Sequence, residues 1–198
     1  MKYITLSVIA IALLFSNCQG QDSIPAKKLY NALFKWHITI PEGFSNMSPQ
    51  DYARMQQKGT AAIEDTYKDK VINQSKPIFV FKSDQMHYFE SNYQPFDVKT
   101  DGSHSASCKA VGDVLYNTFS KQLGDVKMDS AYTSEIVDKL KFRVFKLNIY
   151  LPNDNILTTY MFSRLFGNQD FSVVILFVDR KRGEELLNAF RTSTFDKK

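Results

Sequence analysis

The chain has 198 residues and a net charge of +4, from 25 Lys and Arg against 21 Asp and Glu, with the basic residues scattered among the acids. That scatter excludes a dedicated nucleic-acid binder, which gathers its charge into a face or stripe. Two cysteines exclude a disulfide framework, while sixteen Phe and ten Tyr supply apolar area for a core without staples.

The first element is an export signal. Met1-Lys2 is basic, residues 3–15 form an apolar run too short to span a bilayer comfortably, and Ser16-Asn17-Cys18-Gln19-Gly20 is a small and polar exit. Phe15-Ser16-Asn17-Cys18 resembles a lipobox, with Phe15 and Asn17 in place of the usual small residues, as in the looser boxes of Bacteroidota-type lipoproteins. Residues 1–17 are thus expected to be a signal peptide, Cys18 the lipidation site, and residues 18–32 that site and a polar tether. The alternative is an ordinary cut after Gly20, which would release a soluble periplasmic or secreted form. Several acyl chains hold a protein firmly at a membrane where one holds it only marginally.

Residues 33–198 read as one α+β domain. Trp36, Ile38 and Ile40 alternate with Lys35, His37 and Thr39, the period of a half-buried strand that Pro41-Glu42-Gly43-Phe44 ends. Ser48-Pro49-Gln50-Asp51 supplies an N-cap, a first-position proline and a first-turn acid, so a helix starts at Pro49 and runs to about Lys70, with Gly59 a break. Residues 78–81 and 86–89 predict two strands across a short turn. Residues 90–107 read as a long loop turning at Asp101-Gly102. Tyr88, Phe89, Tyr93 and Phe96 crowd that segment and are candidates for a partner surface, unless they fold back to plug a sheet edge.

A second helix sets Cys108, Val111, Leu115 and Phe119 against Lys109, Asp113, Asn117 and Lys121, and Gly124 ends it. With Cys18 lipidated, Cys108 has no cysteine to pair with and reads as a small core residue. Residues 141–151, 155–166 and 171–178, separated by short loops, predict an antiparallel meander. The last of these is nearly all apolar and is expected to be central, covered by helices on both faces. Asp179 opens a closing helix that turns Leu186, Leu187, Ala189 and Phe190 inward.

Chemistry is sparse along the chain. Ser103-His104-Ser105 beside Asp101 has hydrolase residue types without a nucleophile elbow, and His37, His87 and His104 lack metal-ligand spacing. Glu64-Asp65 and Glu184-Glu185 suit solvated helix turns, and Asp179-Arg180-Lys181-Arg182 is a basic cluster suited to a helix start or to anionic lipid. No catalytic, cofactor-binding or metal-binding residue is assigned.

The order of elements, the opening Ile40-Pro41-Glu42-Gly43-Phe44 and the tail Phe190-Arg191-Thr192-Ser193-Thr194-Phe195 resemble the PsbP-like α/β/α sandwich over about residues 33–195. That superfamily includes a photosystem lumenal subunit, a nuclear-import accessory protein and bacterial envelope lipoproteins. The resemblance implies binding to other proteins and no shared catalytic site, and it carries no functional residue onto this chain. The expected molecule is a non-enzymatic domain of the cell envelope, in the periplasm or on the outer membrane. Cys18 would anchor it to the membrane, and it would bind a protein partner or support an assembly. The alternatives are a small apolar-ligand carrier with a cavity of several hundred Å³, and a hydrolase using the Asp101 to Ser107 loop.

Overall fold

The computed structural model describes residues 24–196. The signal peptide expected over residues 1–17 and the expected lipidation site, Cys18, lie outside the described residues. Strand β1 (Lys27–Asn31) pairs antiparallel with β2 (Trp36–Ile40), where Trp36, Ile38 and Ile40 are buried and His37 and Thr39 exposed, as the alternation predicts. The domain therefore begins earlier than Leu33, because Lys27 to Asn31, expected within the tether, pair with the predicted strand. β3 (Ser45–Asn46) is short. Helix α1 (Pro49–Tyr67) starts as expected, with Ser48 Oγ accepting from Asp51 N at 3.1 Å. Gly59 is buried inside it and does not break it.

β4 (Lys76–Lys82) is followed by β5 (Tyr88–Pro95), a short α2 (Val98–Asp101) and α3 (His104–Leu123). The long loop expected over residues 90–107 is thus a strand and two helix starts. Its composition misleads because Glu90, Ser91, Asn92 and Gln94 are polar yet buried, and a sheet interior accepts such groups when they are hydrogen-bonded. β6 (Met128–Val137) was not foreseen, since seven of its ten side chains are exposed and mostly polar. β7 (Leu140–Tyr150), β8 (Ile156–Phe166) and β9 (Gln169–Phe177) form the expected meander, and α4 (Arg180–Arg191) closes the chain with β10 (Thr194–Phe195).

Seven strands make one antiparallel sheet in the order β3-β4-β5-β9-β8-β7-β6, so the apolar β9 is central. Burial of both its faces explains its nearly continuous hydrophobic sequence. On one face Phe142, Phe162, Phe171 and Ile175 meet Leu186, Leu187 and Phe190 of α4 together with Trp36 and Phe195 of a second, three-stranded sheet, β1-β2-β10. On the other, Phe145, Leu147, Leu157, Met161 and Val174 meet Leu115 and Phe119 of α3. The result is the expected single-domain α+β sandwich with helices on both faces, one of which a small sheet shares.

Phe89 is fully buried and Tyr88 and Phe96 are 5% and 3% exposed, while Tyr93 packs partly buried against the α4-side core. This corrects the candidate partner surface of these four aromatics in favour of the inward-packing alternative. Tyr88, Phe89 and Tyr93 pack inward because β5 lies between β4 and β9 and has no free edge, and Phe96, just beyond β5, packs against His104.

Candidate functional site

The strand register builds a polar band on the face that α1 and α3 cover. Asn92, Ser172, Ser163, Arg143 and Ser134 stand opposite one another across β5, β9, β8, β7 and β6. The neighbouring row is Glu90, Val174, Met161, Phe145 and Tyr132. A line of polar side chains therefore runs from the sheet interior to its β6 edge.

Glu90 anchors the inner end. Its Oε1 accepts from Tyr52 Oη at 2.8 Å and from Asn92 Nδ2 at 2.9 Å, and its Oε2 accepts from Tyr88 Oη at 2.6 Å. Asn92 Oδ1 in turn accepts from Ser172 Oγ at 2.6 Å. Burial pushes the Glu90 carboxyl above its ordinary range, and the three donors oppose that rise. Burial also raises Tyr88 well above the usual phenol value, with the Glu90 charge adding to it, so both tyrosines remain donors.

One row further, His104 Nε2 lies 2.8 Å from Asp170 Oδ1 and 3.5 Å from Cys108 Sγ, and the Phe96 ring packs edge-on against the imidazole. Burial would lower the imidazole, but the Asp170 and Cys108 contacts outweigh it and raise it to about 9. His104 and Cys108 sit one helical turn apart on α3, which brings both to the same face. Cys108, expected in the core, is only half-buried.

Beside Cys108 a pocket of about 430 Å³ separates α3 from the β6 end of the sheet, lined by Ser103, Cys108, Tyr132, Arg143, Met161 and Ser163 among others. Gly112 lets α3 approach here, since a Cβ would run into Tyr132 Oη and meet Phe145 Cδ2 at 2.9 Å. Tyr132 Oη reaches back to Lys109 O and Asp113 Oδ1 at 3.2 and 3.0 Å.

The serine, histidine and acid that the hydrolase alternative would need do not converge. Ser103 Oγ caps α3 by accepting from Ala106 N, and Asp101 Oδ2 accepts from Asp97 N. The acid on His104 is Asp170, from β9, and no described serine hydrogen-bonds the imidazole. His37 pairs with Asp196, and His87 bridges Asp84 to the Asp179 amide. Among the described residues no cluster of three or more His, Cys, Asp or Glu is placed to hold a metal ion. The Glu90 network was missed in the sequence, although Glu90, Asn92 and Gln94 alternating with Phe89, Ser91 and Tyr93 have the period of a strand.

An antiparallel seven-stranded sheet between α1/α3 and α4 with its small sheet defines the molecule as an α/β/α sandwich. No model of a known protein family matches the chain, and no curated protein does. Among solved structures it is similar to the solution structure of cyanobacterial PsbP (CyanoP) from Synechocystis sp. PCC 6803, with a TM-score of 0.52 and 10% identity over 91% of this chain and 98% of that one. The fold is PsbP-like.

Proposed function

We propose that this chain is an exported, non-enzymatic domain, held at a membrane of the cell envelope through a lipid on Cys18, that binds a protein partner. The observation that carries the reading is the edge strand β6. It is ten residues long, outermost in the sheet, and in register with β7 from Met128↔Ile149 to Val137↔Leu140 without a bulge. Sheets ordinarily blunt such an edge with proline, lysine, bulges or shortness, because its outward backbone groups recruit other strands. β6 contains neither proline nor lysine, whereas the opposite edge, β3, has two residues.

The first described residues support anchoring. Ile24 O accepts from Gly43 N at 2.8 Å, and six residue steps from Cys18 to Ile24 span at most about 20 Å. Arg182, in the basic start of α4, donates to Glu42 O beside that point. Arg180 and Lys181 are exposed next to it, and each can add about 1 kcal/mol of attraction to anionic headgroups. No helix among the described residues is long and apolar enough to cross a membrane, so attachment through this route would fall to Cys18.

The test is recovery of partners from detergent-solubilised membranes by wild type, Cys18→Ala and the double variant Ala131→Lys/Thr133→Lys, with intact mass reporting the lipid. Loss of the same partner in both variants supports the reading. Recovery that neither variant changes, or an unmodified mass beginning at Gln21, overturns it. The pocket beside Cys108 favours a second reading, a carried apolar ligand, which native mass spectrometry would detect as a discrete added mass.

A further inference from the structure

The charges around β6 say what kind of segment it would accept. The acids on β6, and Asp113 on α3 beside it, are each hydrogen-bonded. Glu135 binds Arg191 through two hydrogen bonds, at 2.8 and 3.0 Å. Asp129 accepts from Tyr150 Oη at 2.6 Å and Asn148 Nδ2 at 2.8 Å, and Asp113 accepts from Lys109 and Tyr132. By contrast the exposed side chains of Lys141 and Arg143, directly opposite Ile136 and Ser134, make no hydrogen bond or ion pair with any described residue. Asp129 keeps its charge at the Met128 end, because its partners are neutral donors, so the two cations set the field at the Ser134 to Ile136 end of the edge.

The same stretch is apolar between its charges. Ile136 is 65% exposed, and Tyr132 is 45% exposed at the mouth of the pocket. Tyr132, Ser134 and Ile136 alternate along one face, so a strand laid against β6 would place every second side chain over the pocket, Arg143 and Lys141 in turn.

We propose that β6 accepts an extended acidic segment of a partner protein as an eighth strand, with one apolar side chain in the pocket beside Cys108 and carboxylates on Arg143 and Lys141. Backbone hydrogen bonds supply the affinity of such strand addition, and the pocket and the cations supply its selectivity. The inference rests on the partner-binding reading and names the partner's chemistry.

The probes are two fluorescein-labelled ten-residue peptides, one alternating Glu with Val and Leu, the other identical but with Lys for Glu. Both are titrated into the purified mature protein by fluorescence polarisation. The acidic peptide should bind at least about tenfold tighter, Arg143→Glu should reverse the preference, and raising salt should weaken it. Cys108 provides a second readout, because saturating acidic peptide should slow its reaction with a maleimide several-fold without altering the circular dichroism spectrum. Equal affinity for both peptides, no binding at about 1 mM, a preference that Arg143→Glu leaves unchanged, or unprotected Cys108 would each overturn the inference. A concentration-dependent dimer lost in Thr133→Lys would assign the edge to a second copy and overturn it too. A membrane partner still recovered alongside a failed peptide titration would sink this inference and leave the anchored binder standing.

Discussion

His104 on α3 and Asp170 on β9 meet at 2.8 Å, with both side chains 13% exposed, and this pair ties the covering helix to the central strand. Its folded imidazole is raised to about 9, above the ordinary 6.5. A raised histidine contributes stability that is fully present below the unfolded value and is lost as pH rises through the folded one. Unfolding free energy should therefore fall between about pH 6.5 and 9. Asp170→Asn should flatten that slope and cost about 2 kcal/mol at pH 6, measured by urea denaturation at several pH values. An unchanged slope would show that the pair is not charged in the folded state.

Glu90 should act in the same direction. Burial raises its folded carboxyl above the unfolded one, so ionisation penalises the native state as pH rises from the normal carboxylate range towards the raised value. Glu90→Ala leaves the Tyr52, Tyr88 and Asn92 donors without this acceptor and should cost about 3 kcal/mol. Glu90→Gln should cost less and remove the acid-side part of the pH dependence, which thermal melts at pH 4 to 7 would detect.

Phe89→Ala should cost about 3 to 5 kcal/mol, because the side chain is fully buried between Phe81 and the α4-side core. Thr133→Ala, on the exposed edge, should change stability by less than about 0.5 kcal/mol. Guanidinium midpoints of the two variants would separate core from surface. Similar small effects in both would restore β5 as a candidate surface.

Gly183 lies where α4 crosses Phe177, and a Cβ there would run into the phenyl ring. Overpacking of this kind costs typically about 1 to 3 kcal/mol, even though alanine is the better helix former. Gly183→Ala should thus lower the melting temperature, and adding Phe177→Leu should recover part of the loss.

Legibility in the sequence followed solvent exposure. β2, β7, β8, β9 and α4 were readable because each buries a regular set of side chains against a core, which writes a period of two or 3.6 into the residues. β5 was half-read for the opposite reason. Its first two residues are aromatic, and the next are polar groups whose burial depends on Tyr52 and Ser172, far away in the chain. β6 left almost no pattern, since an edge strand with exposed side chains carries little constraint beyond backbone pairing with β7. The site followed the same division. His104 was visible as a residue type, with Asp101 the acid near it in sequence, whereas the packing of α3 on the sheet brings in Asp170 from β9.

Local chemistry along the chain determined the caps at Ser48 and Asp179, the meander and the inward face of α4, because those depend on neighbours within a few residues. Only the tertiary structure decided that Tyr88, Phe89, Tyr93 and Phe96 pack inward, that Glu90 and His104 lie under the same covering helices, and that β6 is the long edge of the sheet. Each of those depends on which strands lie side by side, and strand order is set by contacts between residues distant in sequence.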